Sequence, residues 1–383
     1  MANQFLTPKE IISGKDALKS AGPVLAKHGQ KALIVTDDTM VRLGNVRLVT
    51  DVLDAQGVSY TVFSGVNFEP NDIVVKEAKE AYQKEGCDFL IALGGGSPID
   101  TSKALGILLT SDAPLSSYMG KQIDVDMPFL AAIPTTAGTG SEATRFTIIN
   151  DTATTTKMLL TGACLIPSLA IIDPAFTISA PKSVTANTGI DALCHAVESY
   201  TSRKAQPLSD TFALSAISRI FKNLLRCYEN GSDEEARIQM SLAALEAGIS
   251  FNNSSVTIVH GMSRPLGALF HVPHGLSNAM LLEGCMNFAV EGAYDRFANI
   301  ARYLRLTNDK NDVEAAQVFL DALHELLENL HVMTMSEFGI DKDAYFAVIP
   351  KMAHDAIASG SPANTIKPVS EEDLIRLYTS IYR

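Results

Sequence analysis

Phe89-Leu90-Ile91-Ala92-Leu93-Gly94-Gly95-Gly96-Ser97-Pro98-Ile99-Asp100 is the stretch that decides the fold. Its first five residues form a continuous apolar strand, three glycines follow at once, and residues 99–109 have the spacing of a helix. Strand, glycines and helix make up the order of a phosphate cradle. Glycines let backbone N–H groups approach a pyrophosphate, proline suits a first helical turn, and the helix N-terminus carries partial positive charge. The motif is neither Gly-x-Gly-x-x-Gly nor a Walker A loop, so it supports a dinucleotide fold other than a plain Rossmann unit or a P-loop nucleotidase. A tight strand-to-helix turn is the plainer alternative.

Working outward, short Val/Ile-rich runs alternate with amphipathic stretches up to about residue 180: residues 32–36, a polar-apolar segment to Gln56, then 59–63, 72–84 and 89–93. This is the sequence form of βαβ units and a parallel sheet. Beyond Pro181 the pattern turns helical, as in residues 211–228, 234–249, 312–330 and 343–358. The expected fold class is therefore an α/β dinucleotide-binding domain over residues 1–180 and an all-helical domain over residues 181–383. The boundary is marked by Ile171-Ile172-Asp173-Pro174 and Ala180-Pro181-Lys182, with proline at a first helical position. No fixed-period repeat or low-complexity tract occurs.

Composition narrows the partners. The 383 residues include 31 Lys+Arg against 43 Asp+Glu, a formal charge of −12, which repels polyanions and excludes nonspecific nucleic-acid and anionic-membrane binding. With 46% hydrophobic residues the chain can bury a large core. The first residues lack the form of a signal peptide, and no apolar run is long enough for a membrane span. The 5 cysteines are scattered without a Cys-x-x-Cys pair, which fits a reducing compartment and a cytoplasmic protein.

Two further segments bear on a nucleotide. Asp37, closing the run Leu33-Ile34-Val35-Thr36, stands where nucleotide folds place an acid that accepts from ribose hydroxyls and repels a 2′-phosphate, favouring NAD over NADP. Capping of the next turn is the alternative. Pro134-Thr135-Thr136-Ala137-Gly138-Thr139-Gly140-Ser141-Glu142 follows the apolar residues 129–133 and offers donors to phosphates. In the helical half, Asp191 and His195 are four apart and share a helix face, with Glu198 one further turn along as a partner for the site. Of 8 histidines, His260, His271 and His274 fall within one short stretch. One carboxylate with three neutral imidazoles and no thiolate suits Fe(II) or Zn(II).

Together, residues 94–100, Pro134 to Glu142, Thr188-Gly189-x-Asp191-Ala192-Leu193-x-His195-Ala196-x-Glu198, His260-Gly261-Met262 and Pro273-His274-Gly275 resemble the iron-containing (group III) alcohol dehydrogenases over essentially the whole chain. The resemblance implies the fold shared with dehydroquinate synthase, a catalytic cleft between two domains, NAD, and divalent iron, with zinc also tolerated, on Asp191, His195, His260 and His274. It implies that Asp37 binds ribose, that Gly94, Gly95, Gly96 and Ser97 form the pyrophosphate loop, and that Thr135, Thr136, Ser141 and Lys157 also contact the cofactor. Strand pairing across subunits in the family, with the N-terminal Phe5-Leu6-Thr7-Pro8, implies a homodimer or larger homo-oligomer. The expected reaction is hydride transfer between NAD(H) and a small primary alcohol or aldehyde.

One departure stands out. Where many members have a second histidine four residues after the third ligand, this chain has Arg264, which stays protonated and cannot accept the substrate proton. His271, three residues before His274, is the candidate relay instead. Arg264 then orients an oxygenated substrate or a cofactor phosphate, or pairs with a carboxylate. The rival readings are an NAD- and metal-dependent carbocycle-forming lyase of the same fold and a nucleotide- and metal-binding protein without catalysis.

Overall fold

The computed structural model describes residues 2–154 and 156–383. It divides into two compact units, one spanning Leu6–Ala180 and the other Pro181–Arg383 together with the N-terminal stretch through Phe5. That stretch joins the helical unit, and not the α/β unit to which sequence pattern assigned it. Phe5 stacks on Phe212 at 5.8 Å, and Gln206 Nε2 donates to the Gln4 carbonyl at 3.0 Å.

The α/β unit runs β1 (Glu10–Ser13), α1 (Ala17–His28), β2 (Lys31–Val35), α2 (Asp38–Arg42), α3 (Asn45–Ala55), β3 (Ser59–Phe63), α4 (Asp72–Glu85), β4 (Phe89–Gly94), α5 (Gly96–Thr110), β5 (Leu130–Pro134), β6 (Phe146–Asp151), β7 (Thr156–Thr161) and β8 (Leu169–Ile172). The stretch to Gln56 is two helices because Gly44, at φ 79°, breaks it. Six strands form a parallel sheet in the order β1-β8-β5-β4-β2-β3, while β6 and β7 form a separate antiparallel pair. Alternate side chains of one strand enter different cores. Leu33, Val35, Leu90 and Ala92 pack with Val75, Ala78 and Leu105. Ala32, Ile34, Phe89 and Ile91 pack with Leu18, Leu25, Val49 and Leu53. A sheet covered on both faces explains why its strands read as unbroken apolar runs.

From β2 the chain moves outward to β3 and then returns to the far side of β2 as β4. The carboxyl ends of β2 and β4 therefore flank the topological switch point, where open α/β sheets bind ligands. Thr36 Oγ1 donates to the Leu93 carbonyl at 2.8 Å and ties these two ends together.

The helical unit contains α6 (Lys182–Tyr200), α7 (Pro207–Glu229), α8 (Glu234–Ser254), α9 (Ile258–Phe270), α10 (His274–Ala289), α11 (Tyr294–Tyr303), α12 (Asp312–Asn329), α13 (Lys342–Ala358) and α14 (Glu371–Ile381). The buried helix α6 packs against α7, α8, α9 and α10. Among the described residues, no helix is long and apolar enough to cross a membrane.

A buried polar cluster locks the first turns of α5 to the segment entering β6. Lys103 Nζ donates to Ser141 Oγ (3.2 Å), Thr144 O (2.8 Å), Thr144 Oγ1 (3.1 Å) and Phe146 O (2.8 Å). Ser141 Oγ donates in turn to Asp100 Oδ1 at 2.6 Å. Burial pushes the Glu142 carboxyl up to about 7 and the Lys103 ammonium down to about 8. A carboxyl raised on folding stabilises the native state below its unfolded pKa, and this contribution is lost as pH rises through about 7. Glu142→Gln should therefore leave stability near pH 4, below the unfolded pKa, almost unchanged and increase it at pH 8 by about 3 kcal/mol, the equivalent of the shift. Chemical denaturation of both proteins at the two pH values measures this, and an equal effect at both would contradict it.

Candidate functional sites

Two sites emerge, one in each unit. In the α/β unit, β4 ends at Gly94, whose φ of 152° is open to glycine and where a Cβ would meet Pro98 Cγ at 2.5 Å. The next helix begins earlier than the sequence pattern indicates. Gly96 and Ser97 are already helical, so the free N–H groups of the first turn belong to the glycine motif itself. A cavity of about 360 Å³ opens there, lined by Gly95, Gly96, Ser97 and Pro98 on one side and Thr135 and Thr136 on another. Asp37, Thr39, Met40, Val66, Asn67 and Phe68 complete the lining. Asp37 also caps α2, its Oδ1 accepting from Met40 N at 3.0 Å, so the carboxylate that lines the cavity is at the same time a helix cap.

Other residues assigned to the cofactor lie outside this lining. The Ser141 hydroxyl is taken up by Asp100 and Lys103. Lys157, on β7, pairs with Glu69 at 2.8 Å.

In the helical unit, α6 presents buried Asp191, His195 and Glu198 at i, i+4 and i+7. The Nε2 atoms of His260, His274 and His195 lie 3.6, 3.7 and 4.0 Å from Asp191 Oδ1. Four donors about 2.1 Å from a tetrahedral cation are separated by roughly 3.4 Å, so these spacings are close to those of a divalent-metal site. Asp191, His195 and His260 are mutually near enough to share one ion. His274, half exposed, gives the set an open side. A further residue emerges from the geometry: Asn278 on α10, one turn after His274, directs Nδ2 at Asp191 Oδ1 (2.6 Å), His260 Nε2 (3.2 Å) and His274 Nε2 (3.3 Å). Its buried Oδ1 has no hydrogen-bond donor. The i, i+4 spacing of His274 and Asn278 was the available sequence signal. Three acceptors converging on one point, with a donor set of one carboxylate and imidazoles, fit a small divalent cation.

Electrostatics prepares these ligands. Burial alone would raise the Asp191 carboxyl, but His195, His274 and His260 outweigh it and hold it well below the usual carboxylate range. Burial pushes His195 down to about 4 against the pull of Asp191, leaving it neutral, and its ring stacks between Phe251 at 4.2 Å and His260 at 4.6 Å. Burial opposes protonation of His260 too, but Glu198 and Asp191 prevail and raise it to about 9, so its imidazole is a strong base. Glu198 is central to this arrangement. Its Oε1 accepts from Val259 N (2.7 Å), Thr257 Oγ1 (2.8 Å) and Thr257 N (3.1 Å), capping α9 from another helix, while Oε2 binds His260 Nδ1. That leaves Nε2 as the nitrogen facing the cluster, where a bound cation would take the place of its proton.

The two candidate catalytic residues are placed differently. Arg264 lies one turn after His260, and its Nη1 donates to Ser361 Oγ at 3.1 Å. Among the described residues no carboxylate lies within ion-pair distance of it. His271 is exposed at the C-cap of α9, with φ 54°, and makes no hydrogen bond or ring contact with the Asp191 cluster among the described residues.

A nucleotide-sized cavity with an acid beside its glycine cradle, and a carboxylate–imidazole cation site, define a metal-dependent enzyme that uses a dinucleotide. Residues 8–174 match the sequence profile "Iron-containing alcohol dehydrogenase", and residues 185–382 match "Fe-containing alcohol dehydrogenase family, C-terminal". A choline dehydrogenase of Bacillus subtilis is 36% identical over 94% of this chain and 90% of its own. The crystal structure of a 1,3-propanediol oxidoreductase superposes with a TM-score of 0.95 at 32% identity, covering 100% of both chains. A sulfoacetaldehyde reductase from Bifidobacterium kashiwanohense in complex with NAD+ gives a TM-score of 0.89 at 27% identity, over 100% of this chain and 99% of that one. The chain belongs to the iron-containing alcohol dehydrogenase family.

Glu198→Gln tests the orienting role. An amide N–H in place of Oε2 forces His260 Nδ1 to accept, moving the ring proton to Nε2, where it blocks metal coordination. We expect iron and zinc affinity to fall roughly 10–100-fold, as removal of such hydrogen-bond partners does elsewhere, while the protein still folds cooperatively. Metal titration beside thermal unfolding reads both effects, and unchanged affinity would refute the assignment.

Proposed function

We propose that this chain catalyses reversible hydride transfer between NAD(H) and a small primary alcohol or aldehyde, of the class of short alcohols, diols and hydroxyaldehydes. The reading is carried by the convergence of Asp191, His195, His260 and His274 in a chain both of whose halves match the iron-containing family. Divalent iron on these four residues, with zinc compatible with the same donors, supplies Lewis acidity toward the substrate oxygen, while NAD accepts or returns the hydride. None of the relatives named above is a carbocycle-forming lyase.

The chain's own residues do the rest. Backbone N–H groups around Gly95, Gly96 and Ser97, with Thr135 and Thr136, hold the pyrophosphate without a basic side chain. Asp37 holds ribose and repels a 2′-phosphate. On oxidation the carbinol C–H bond breaks as hydride leaves, and the hydroxyl proton must reach solvent. We assign that proton to His271, whose exposed imidazole can both accept and release a proton, whereas a guanidinium cannot accept one.

Arg264 sets the charge preference. It shares a face of α9 with His260 and has a hydroxyl, not a carboxylate, as its hydrogen-bond partner. The relatives named above act on a cation, a neutral diol and an anion. A guanidinium whose carboxylate attraction comes from Glu198, itself bound to His260, favours neutral oxygenated or anionic substrates over choline.

The protein is read as a cytoplasmic homodimer or larger homo-oligomer. All five cysteines are free, and β1 lies at a sheet edge, where pairing with a second copy is available.

Iron-loaded protein mixed with NADH and a panel of short aldehydes should show aldehyde-dependent loss of absorbance. Chelation should abolish it, and added Fe2+ should restore it. On the oxidation side, choline should be turned over more slowly than 1,3-propanediol. Undiminished turnover after verified metal removal would overturn the proposal. For the relay, His271→Gln should lower kcat about 10²-fold and erase the limb of the pH–rate profile that depends on a neutral imidazole. An unchanged profile would remove His271 from the mechanism.

A further inference from the structure

Phe68 is 85% exposed, an unusual situation for a phenylalanine, and it lines the same cavity as Asp37 and the glycine motif. Residues on either side of it are fixed. Asn67 Oδ1 accepts from Asp38 N at 3.0 Å, and its Nδ2 donates to Asp38 Oδ2 at 3.1 Å and to the Ser64 carbonyl at 3.3 Å. Glu69 accepts from Lys157 at 2.8 Å and from Asn150 Nδ2 at 3.1 Å. Asn71 caps α4, accepting from Ile73 N and Val74 N. The loop between β3 and α4 is thus pinned by hydrogen bonds on both sides of Phe68. A large apolar ring held out in water at the rim of a polar cavity is suited to an aromatic ligand face.

Which part of a dinucleotide reaches it follows from the sheet order. Pyrophosphate belongs over the first turn of α5, after β4, and the adenosine ribose belongs at the acid ending β2. Beyond β2 lies β3, whose C-terminal loop carries Phe68 and is joined to the Asp37 segment by the Asp37–Gly65 bridge. Continuing from pyrophosphate through ribose in that direction leads to the adenine.

We propose that Phe68 is the platform on which the adenine of the dinucleotide stacks, and so a determinant of affinity for the adenylate half. This rests on the dinucleotide-binding reading above. It also gives the Glu69–Lys157 pair a function, since that pair holds the platform in place and Lys157 acts on the cofactor indirectly.

The test uses the full chain and ADP-ribose, which carries the adenylate half and no nicotinamide, so no hydride chemistry enters. The chain contains no tryptophan, and Phe68→Trp therefore installs a single indole reporter. We expect ADP-ribose to quench that indole saturably. By calorimetry, Phe68→Ala should weaken ADP-ribose binding roughly tenfold, as loss of base stacking on an aromatic side chain does, and Phe68→Tyr should restore it. Nicotinamide mononucleotide should bind wild type and Phe68→Ala alike. Equal ADP-ribose affinity for wild type and Phe68→Ala, or an indole unaffected by saturating ligand, overturns the platform and leaves the dehydrogenase reading standing. Absence of ADP-ribose binding by folded wild type overturns both.

Discussion

The arrangement of the helical unit around its cation site depends on one buried carboxylate. Glu198 has no solvent to satisfy it, and the desolvation of an ionised carboxylate is severe unless several donors meet it. The first turn of α9 supplies them, so the orphan N–H groups of a helix that lacks its own side-chain cap and the buried charge of α6 satisfy each other. The same contact fixes the register of α9 on α6 and determines which nitrogen of His260 is available as a ligand. Stability, helix placement and ligand chemistry thus share one pair of oxygen atoms.

The α/β unit solves a related problem with opposite means. The chain is strongly acidic, yet the proposed function places a pyrophosphate in its cavity. On that reading backbone amides provide the complementary charge, while Lys103 of α5 is fully buried and directed at oxygens of the segment entering β6. It serves as an internal strut between α5 and that segment. The acidic surface and the anion site are compatible because the positive potential is local and arises from dipoles.

Much of this was legible in sequence because it is local. Unbroken apolar runs gave the strands of a doubly covered sheet, and the spacing of Asp191, His195 and Glu198 placed them on one buried helix face. The features that escaped are made by residues distant in the chain. Ser141 reads as a phosphate donor until Asp100 and Lys103, some forty residues earlier, occupy its hydroxyl. Asn278 reads as an ordinary polar residue of an apolar helix until Asp191 is brought beside it. Three consecutive glycines suggest a loop, but the third opens a helix, because close packing and free N–H groups outweigh glycine's poor helical propensity there. Residues up to Phe5 join the helical unit through ring stacking that no periodicity encodes.

With ribose binding as proposed, the cap that Asp37 also provides constrains how cofactor preference can be re-engineered. Replacing an acid at this position with arginine or alanine is the obvious route toward NADPH, but here it would also remove the side-chain cap of α2, a helix of five residues whose start is otherwise held by Asn67. Only side chains that still accept from Met40 N, such as asparagine or serine, remove the charge without loosening the wall of the cavity. On the proposed reading, cofactor choice and local folding are coupled at a single position, and the accessible mutational paths between the two nicotinamide cofactors are few.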